Sequence, residues 1–334
     1  MDKTTEIISM LQHMRPAFSE CEEEFIKKYI LPLGGLMKDN YGNLVKKIGD
    51  NPEVMWSCHT DTVHKNDGMQ GIELTGQYAV LNDPKSNCMG ADDAVGVWLM
   101  MELIRADKEG LYVFHRCEER GGMGSDYITK HHEHLFKEIK CVIALDRMGT
   151  RDLITHQGWE RCCSDEFGAS LAEALNMKYE LCDGGVFTDS ANYTDIVGEC
   201  TNLSVGYENE HSKMERSDLA FLHNLRNSLL DLDYSKLVYK REPGEIDTLN
   251  NPYNRYIDYG YEGYKTQAGK EMYDLCWEYP DVAAQMLNDY GIRIEEMYEE
   301  IYKSTGEYPS QAFELVEEKE ALDYEQQIPL EETI

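Results

Sequence analysis

The sequence predicts an α/β fold with a mostly parallel central sheet flanked by helices. Apolar runs of strand length alternate with amphipathic segments of helical length from about residue 43 to about residue 236. This alternation is typical of parallel strands joined by crossover helices. Polar or charged residues follow the apolar runs, as expected where the carboxyl ends of parallel strands meet at one edge of a sheet. With 334 residues, of which 42% are hydrophobic, the chain can bury the core that such a fold needs.

The predicted elements follow in chain order. Two helices are expected over residues 5–30 with a break at Pro16, followed by a strand over 43–47. The other predicted elements of this domain are the strands 54–58, 111–115, 141–145 and 202–206 and the helices 92–106 and 217–232.

The composition changes beyond residue 240. This part of the chain is more acidic and is rich in Tyr, with an irregular Gly- and Asn-containing stretch before helical patterns over 267–278 and 281–303. We therefore expect an α/β domain over 1–240 and an irregular and helical extension over 241–334. The aromatic residues of the extension predict that it packs on the domain, with a disordered tip.

Charge and cysteine content narrow the class of protein. A formal net charge of -31 argues against nucleic acids and anionic membranes as partners, because both attract basic surfaces. Small cationic substrates or free amino termini fit better. The polar start and the lack of an apolar run of roughly 20 residues predict neither signal peptide nor membrane anchor, and hence a cytoplasmic protein. Ten cysteines without a C-x-x-C spacing fit reduced thiols.

Five side chains of the types that bind metals follow the predicted strands or begin the predicted helix. They are His59, Asp92, Glu119, Asp146 and His211. Each alone has an ordinary structural explanation, such as a core histidine held by a carboxylate, a helix N-cap or a solvated turn. Five of them at successive strand ends are better explained by one shared metal site.

Metal chemistry accounts for this number of ligands. Two divalent ions about 3.5 to 4 Å apart need one shared carboxylate and about two further ligands each, which leaves a position for water. Five ligands suffice if one is shared. Asp61 lies two positions after His59 and is placed to accept the other ring N–H. Glu118 points away from its neighbour Glu119 and is free to act as a general base.

This order of motifs closely resembles the co-catalytic dizinc exopeptidase clan, whose sites run His-x-Asp, Asp-Asp at a Gly-rich helix start, Glu-Glu before glycines, Asp and His. The resemblance covers about residues 15–235 and implies a zinc exopeptidase-like fold. It also implies a catalytic Glu118 and a cis peptide after Asp92. The implied ligands are His59, Asp92 and Asp146 for one zinc and Asp92, Glu119 and His211 for the other.

The spacing between motifs indicates the branch of the clan. Relatives such as peptidase T and carboxypeptidase G carry a lid domain between the last two ligands, and tetrahedral aminopeptidases carry an insertion before the bridging Asp. Residues 147–210 and 60–91 are too few for either domain. The chain is therefore most similar to the zinc aminopeptidases of metallopeptidase family 28.

The predicted function is hydrolysis of a peptide bond, by removal of N-terminal residues from small peptides with two metal ions. Zn²⁺ is expected, although Co²⁺ and Mn²⁺ also suit such ligands. A deacylase of N-acyl amino acids and a catalytically inactive metal-binding interaction protein are the alternatives. A homo-oligomer is compatible with the sequence. His64, Asp189 and Tyr207 are candidate substrate contacts, whereas the histidine tract at 131–134 predicts a solvated turn.

Overall fold

The computed structural model describes residues 2–158 and 160–245 and, beyond them, only the single positions 287 and 297. The predicted packing of the extension and its two helices therefore lie outside the described residues. The helices are α1 (Lys3–Leu11), α2 (Glu20–Phe25), α3 (Ala91–Arg105), α4 (Met123–His131), α5 (Asp165–Leu175) and α6 (Leu219–Asp231). The strands are β1 (His13–Met14), β2 (Met37–Lys38), β3 (Leu44–Ile48), β4 (Val54–His59), β5 (Gly68–Met69), β6 (Ile72–Thr75), β7 (Tyr78–Leu81), β8 (Gly110–His115), β9 (Cys141–Arg147), β10 (Asp152–Ile154), β11 (His156–Gln157), β12 (Glu160–Arg161), β13 (Glu180–Cys182), β14 (Glu199–Ser204), β15 (Tyr207–Glu208) and β16 (Arg216–Asp218).

An eight-stranded sheet runs through the domain in the order β13-β10-β14-β9-β4-β8-β3-β2. Its central strands β14, β9, β4 and β8 pair in parallel. Antiparallel pairs join β3 to β8, β2 to β3 and β10 to β14. The sheet is thus mixed, with a parallel centre, and helices flank it, so the predicted fold class is confirmed for the described domain.

Both faces of the central sheet are buried. Alternate residues of β4 contribute to two apolar clusters, with Trp56 in one and Met55 in the other. The first cluster also contains buried residues of α1, α3, α5 and α6, and the second contains Ile128 of α4. Strands that are buried on both faces are mostly apolar, which is why the runs at 54–58 and 141–145 were recognisable in the sequence.

Local sequence signals account for the helix boundaries. The predicted break at Pro16 is present, because α1 ends at Leu11 and α2 begins at Glu20. Four helices start at a polar residue whose side chain accepts a backbone N–H of the first turn. These N-cap residues are Asp2, Ser19, Ser164 and Asp218.

A second, antiparallel sheet has the strand order β15-β16-β7-β6 and was not predicted. Its strands are two to four residues long, and β6 is largely exposed. Short strands with one solvated face lack the apolar run that marked the central strands. The loop between β15 and β16 carries His211, so this sheet positions part of the predicted site.

Lys240 and Arg241, near the end of the described domain, are bound to the central sheet. Glu199, at the start of β14, is fully buried and accepts the backbone N–H groups of Lys240 at 2.7 Å and Arg241 at 2.9 Å. The chain up to residue 241 is therefore bound to the domain. Within the described part of the chain, no helix is both long and apolar enough to cross a membrane.

Candidate active site

The five predicted ligands come together at the carboxyl edge of the parallel strands. His59 is the last residue of β4, and Asp146 is the next-to-last residue of β9. Asp92 lies in the first turn of α3, Glu119 in the turn after β8, and His211 between β15 and β16. Residues from five separate segments of the chain thus share one site, as expected for the carboxyl edge of an α/β sheet.

The carboxylate of Asp92 lies between the two histidines. Its Oδ1 is 2.9 Å from His59 Nε2, and its Oδ2 is 3.2 Å from His211 Nε2. Asp146 Oδ1 lies 3.3 Å from His59 Nε2, and Glu119 Oε1 lies 3.2 Å from His211 Nε2. Two groups, each of one histidine and one carboxylate, therefore share Asp92, one on each of its oxygens.

The donor set fits divalent cations. Glu119 Oε1 and Asp146 Oδ1 are buried and, apart from the adjacent rings of His211 and His59, have no hydrogen-bond donor among the described residues. Burial, followed by the charge of Asp92, raises the pKa of Glu119 to about 7 and that of Asp146 to about 6. Buried acceptors without donors are costly unless a cation compensates them. Two groups in this region could each hold an ion, namely His59 with Asp92 and Glu119, and His59 with Asp93 and Asp146.

The histidines carry the corresponding electrostatic signature. Hydrogen bonds to Asp92 and Glu119 raise the pKa of His211 to about 11. Burial alone would lower the pKa of His59, but the charge of Asp146 and hydrogen bonds to neighbouring carboxylates raise it well above its usual value. Both imidazoles thus face enough negative charge to hold a positive one at this position, whether a proton or a metal ion.

The adjacent acids at the start of α3 have different partners. The peptide between Asp92 and Asp93 is cis, as the resemblance implied. Asp93 Oδ1 accepts the N–H of Gly96 at 2.9 Å, and Oδ2 accepts the N–H of His59 at 3.2 Å. Asp93 therefore caps the regular part of α3, and Asp92 faces the histidines. Gly96 fits here because a Cβ on it would lie 2.2 Å from the carbonyl oxygen of Leu145.

Glu118 and Glu119 lie in a tight turn after β8. Residues Glu118–Arg120 form one 3-10 turn, preceded by Cys117 with φ 59° in the left-handed region. Glu118 Oε2 is 4.0 Å from His59 Nε2, and 11% of its side chain is exposed. Burial raises the pKa of Glu118 well above its usual range. A nearly buried carboxyl with a raised pKa is suited to proton transfer near neutral pH.

Asp61 has different partners from those expected. Its carboxylate accepts the backbone N–H groups of Glu118 at 3.1 Å and Glu119 at 3.3 Å. His59 Nδ1 lies 3.1 Å from the carbonyl oxygen of Asp61 and 3.6 Å from its Oδ1. The backbone carbonyl therefore orients the ring of His59, while the carboxylate holds the Glu118 turn.

The three candidate substrate contacts are all buried. His64 lies within hydrogen-bond distance of the Thr62 hydroxyl at 2.7 Å, and burial lowers its pKa to about 4. The hydroxyl of Tyr207 donates to the carbonyl of Asp146 at 3.0 Å. Asp189 is 1% exposed, with Oδ2 3.2 Å from Nδ1 of the buried His115. In this structure all three side chains thus contact neighbouring protein groups, and a role in binding substrate stays a prediction. Residues 131 and 134 of the histidine tract are exposed, in keeping with a solvated turn.

Three further residues hold the site and were not predicted from the sequence. Arg15, fully buried, donates to the carbonyls of Thr60 at 2.9 Å and Gly90 at 3.3 Å. Thr188 donates its hydroxyl to Asp146 Oδ2 at 2.6 Å. Glu215 accepts backbone N–H groups of the segment that leads to Asp92. None of these lies in a motif, although Glu215 follows His211 by only four positions.

Comparisons with known proteins found a family model that matches part of the chain and solved structures with a similar fold. Residues 43–179 match the model of Peptidase family M28. No curated protein sequence matches the chain. Similar solved structures include the aminopeptidase PepT from Bacillus cereus, with 15% sequence identity, a TM-score of 0.57, and coverage of 69% of this chain and 96% of that chain. A tripeptidase from Staphylococcus aureus has 13% sequence identity and a TM-score of 0.58, and the match covers 70% of this chain and 97% of the tripeptidase. The TET1 peptidase of Pyrococcus horikoshii, which can assemble into a tetrahedron or a large octahedral shell, has 16% identity, a TM-score of 0.53, and coverage of 69% and 99%.

The family match and the shared fold confirm the resemblance that the motifs predicted. The family model spans β3 to the region before β13, and it includes four of the five predicted ligands. The described domain thus has the fold of the M28-like exopeptidase clan.

Proposed function

We propose that this protein hydrolyses peptide bonds with the help of two divalent metal ions and removes residues from the amino terminus of small peptides. The observation that carries the proposal is the Asp92 carboxylate, whose two oxygens face two separate groups of one histidine and one carboxylate. The match to a peptidase family and the similarity in fold to an aminopeptidase and a tripeptidase support it.

Each predicted residue has a distinct role in this proposal. Asp92 would bridge the two ions, which when bound supply a nucleophilic water at neutral pH and polarise the scissile carbonyl. The ion on one side would be held also by His59 and Asp146, and the ion on the other by Glu119 and His211. Zn²⁺ is the expected metal, and Co²⁺ or Mn²⁺ would suit the same ligands.

Glu118 moves the proton. It accepts a proton from the attacking water and then donates it to the nitrogen of the leaving amine, so that the carboxylate is restored at the end of the cycle. Its nearly buried position and raised pKa suit this role. Asp61 is a positioning residue here, because its carboxylate binds the backbone N–H of Glu118 and so fixes the turn.

An apolar side chain borders the site and indicates which substrates fit. The ring of Phe187 packs on Gly122, close enough that a Cβ there would lie 2.4 Å from the ring, and yet it is 40% exposed. The N–H of Gly122 donates to the carbonyl of Glu118 at 2.9 Å, and Thr188, next to Phe187, donates to Asp146. Phe187 thus packs against the turn that carries Glu118, and the residue after it binds Asp146. Peptides with a bulky apolar first residue would cover this ring and remove apolar surface from water.

A substrate panel combined with metal analysis tests the proposal. The full chain, loaded with Zn²⁺ or Co²⁺, should bind two ions and cleave leucyl-p-nitroanilide and Leu-containing dipeptides, and a strong chelator should abolish both properties. Cleavage should be lost on the N-acetylated peptides. The reverse preference would support the deacylase. Two bound ions without activity on either set would support the inactive metal-binding protein. Fewer than two ions in fully loaded protein would contradict the bridging role of Asp92.

A further inference from the structure

Glu215 is a buried carboxylate whose two oxygens are both fully used by the backbone. It is 1% exposed. Oε2 accepts the N–H groups of Met89 at 2.7 Å and Gly90 at 2.9 Å. Oε1 accepts those of Ala91 at 2.7 Å and Asp92 at 3.2 Å. One side chain therefore binds four consecutive backbone groups of the segment that ends at Asp92.

This contact joins two parts of the site that are far apart in sequence. At one end, Gly90 has φ 72° and the backbone of Asp92 and Asp93 is not helical, so the N–H groups of residues 89–92 precede the regular part of α3 and donate to the Glu215 carboxylate instead. At the other end, Glu215 closes the loop that begins at His211, where φ is 59°, and its own N–H donates to the carbonyl of Ser212 at 3.2 Å. The loop with His211 is thus bound directly to the backbone of Asp92.

We propose that Glu215 is a positioning residue that sets the distance between Asp92 and His211, the two residues that would share an ion on the Oδ2 side of Asp92. The 3.2 Å separation of Asp92 Oδ2 and His211 Nε2 depends on two loops, and Glu215 is a buried side chain that connects them at Asp92 itself, whereas the exposed Lys213 binds the carbonyl of Pro84 farther away in sequence. The proposal rests on the metal-dependent function proposed above.

The four-fold acceptor geometry makes the conservative substitution informative. In Glu215→Gln, one carboxylate oxygen becomes an NH₂ group, which is a donor only. Whichever way the amide turns, its NH₂ faces two backbone N–H groups that need an acceptor. The segment before Asp92 must then shift or leave these groups unpaired, although the side chain keeps its size. A shorter acid, in Glu215→Asp, keeps the charge but cannot reach all four groups.

Glu199 offers a matched control. It is also fully buried and accepts the backbone N–H groups of Ser164, Lys240 and Arg241, but it lies at the start of β14, at the opposite edge of the sheet from the site. Glu199→Gln therefore removes a comparable buried acceptor without touching the Asp92 segment. A role in folding alone predicts the same behaviour for both variants.

The test is titration of the metal-free full-length protein with Co²⁺, followed by visible absorption spectroscopy, which reports coordination independently of turnover. We expect Glu215→Gln to bind at least one of two Co²⁺ ions about 10- to 100-fold more weakly, the range typical of residues that orient ligands, and to show an altered spectrum. Glu199→Gln should retain both affinities and the wild-type spectrum even if its melting temperature falls. Glu215→Asp carries the same test if Glu215→Gln does not fold.

The outcomes separate this proposal from the proposed function. If the wild-type protein binds two Co²⁺ ions and Glu215→Gln binds both within threefold of the wild type with the same spectrum, Glu215 does not position the ligands. An equal spectral change in Glu199→Gln would also overturn the proposal, because the effect would then be general. If the wild-type protein binds no Co²⁺, the metal-dependent function itself fails.

Discussion

Replacing Glu118 by Gln should abolish most of the turnover and leave the metal content unchanged. The side chain keeps its size, and Glu118 is not among the ligands expected to hold an ion. Its Oε2 lies 4.0 Å from His59 Nε2, at the edge of the cluster, where it can reach a water but is farther from the histidine than Asp92 Oδ1, which lies 2.9 Å away. The amide can neither accept the proton of water nor donate one to the leaving amine.

The expected loss follows from the role of the carboxyl. General acid and base catalysis contributes roughly 10² to 10⁴ in rate, which corresponds to about 3 to 5.5 kcal/mol in activation free energy. The loss should appear in kcat, with KM little changed, because the proton is transferred only in the chemical steps. Glu119→Gln is the matched control. Its Oε1 lies 3.2 Å from His211 Nε2, so this variant should lose metal affinity together with activity.

The assay is turnover on leucyl-p-nitroanilide beside elemental analysis of the same protein samples. Two ions per chain with turnover reduced at least 100-fold is the result expected for Glu118→Gln. An active Glu118→Gln variant would refute the proposed mechanism. Loss of an ion in Glu118→Gln with both ions kept in Glu119→Gln would instead reverse the two assignments.

Three other changes probe the surroundings of the site. Asp61→Asn should lower kcat or metal affinity about 10- to 100-fold without unfolding the protein, because its NH₂ group would face a backbone N–H of the Glu118 turn. An unchanged variant would show that Asp61 has no role in the site. Phe187→Ser should lower kcat/KM about 10-fold on leucyl substrates and much less on alanyl substrates, because a leucyl side chain loses more apolar contact with the missing ring. An equal effect on both substrates would contradict a role of Phe187 in selectivity. Burial holds the pKa of His64 at about 4, so the folded state resists a proton that the unfolded state accepts below about pH 6.5. Denaturant titrations should therefore show that the free energy of unfolding of the wild type falls relative to that of His64→Gln as the pH decreases from about 6.5 to about 4. The expected slope is up to about 1.4 kcal/mol per pH unit. A difference that does not vary with pH would show that His64 does not titrate in this way.

The class of fold and the five side chains that meet at the site were predictable from patterns in the sequence. Apolar runs such as 54–58 are local patterns, and most strands buried on both faces are largely apolar. Parallel strands place their carboxyl ends together, so residues that follow those runs, among them His59 and Asp146, had to be neighbours. This inference needed the chain order alone.

The hydrogen-bond partner of each of these side chains depends on the folded backbone. Asp92 and Asp93 are adjacent and chemically alike, yet one faces the histidines and the other caps α3. Asp61 follows His59 by two residues, yet its carboxylate binds the turn after β8. These outcomes depend on backbone geometry and on hydrogen bonds between distant segments.

The same limit explains what the sequence could not indicate at all. The second sheet is built from short, partly exposed strands that carry little apolar pattern, so the position of His211 was not predictable from periodicity. Glu215 binds residues more than 120 positions earlier in the chain. Buried carboxylates of this kind accept backbone N–H groups that lie beside them only in the folded chain. The order of residue types along the sequence therefore does not indicate such a contact.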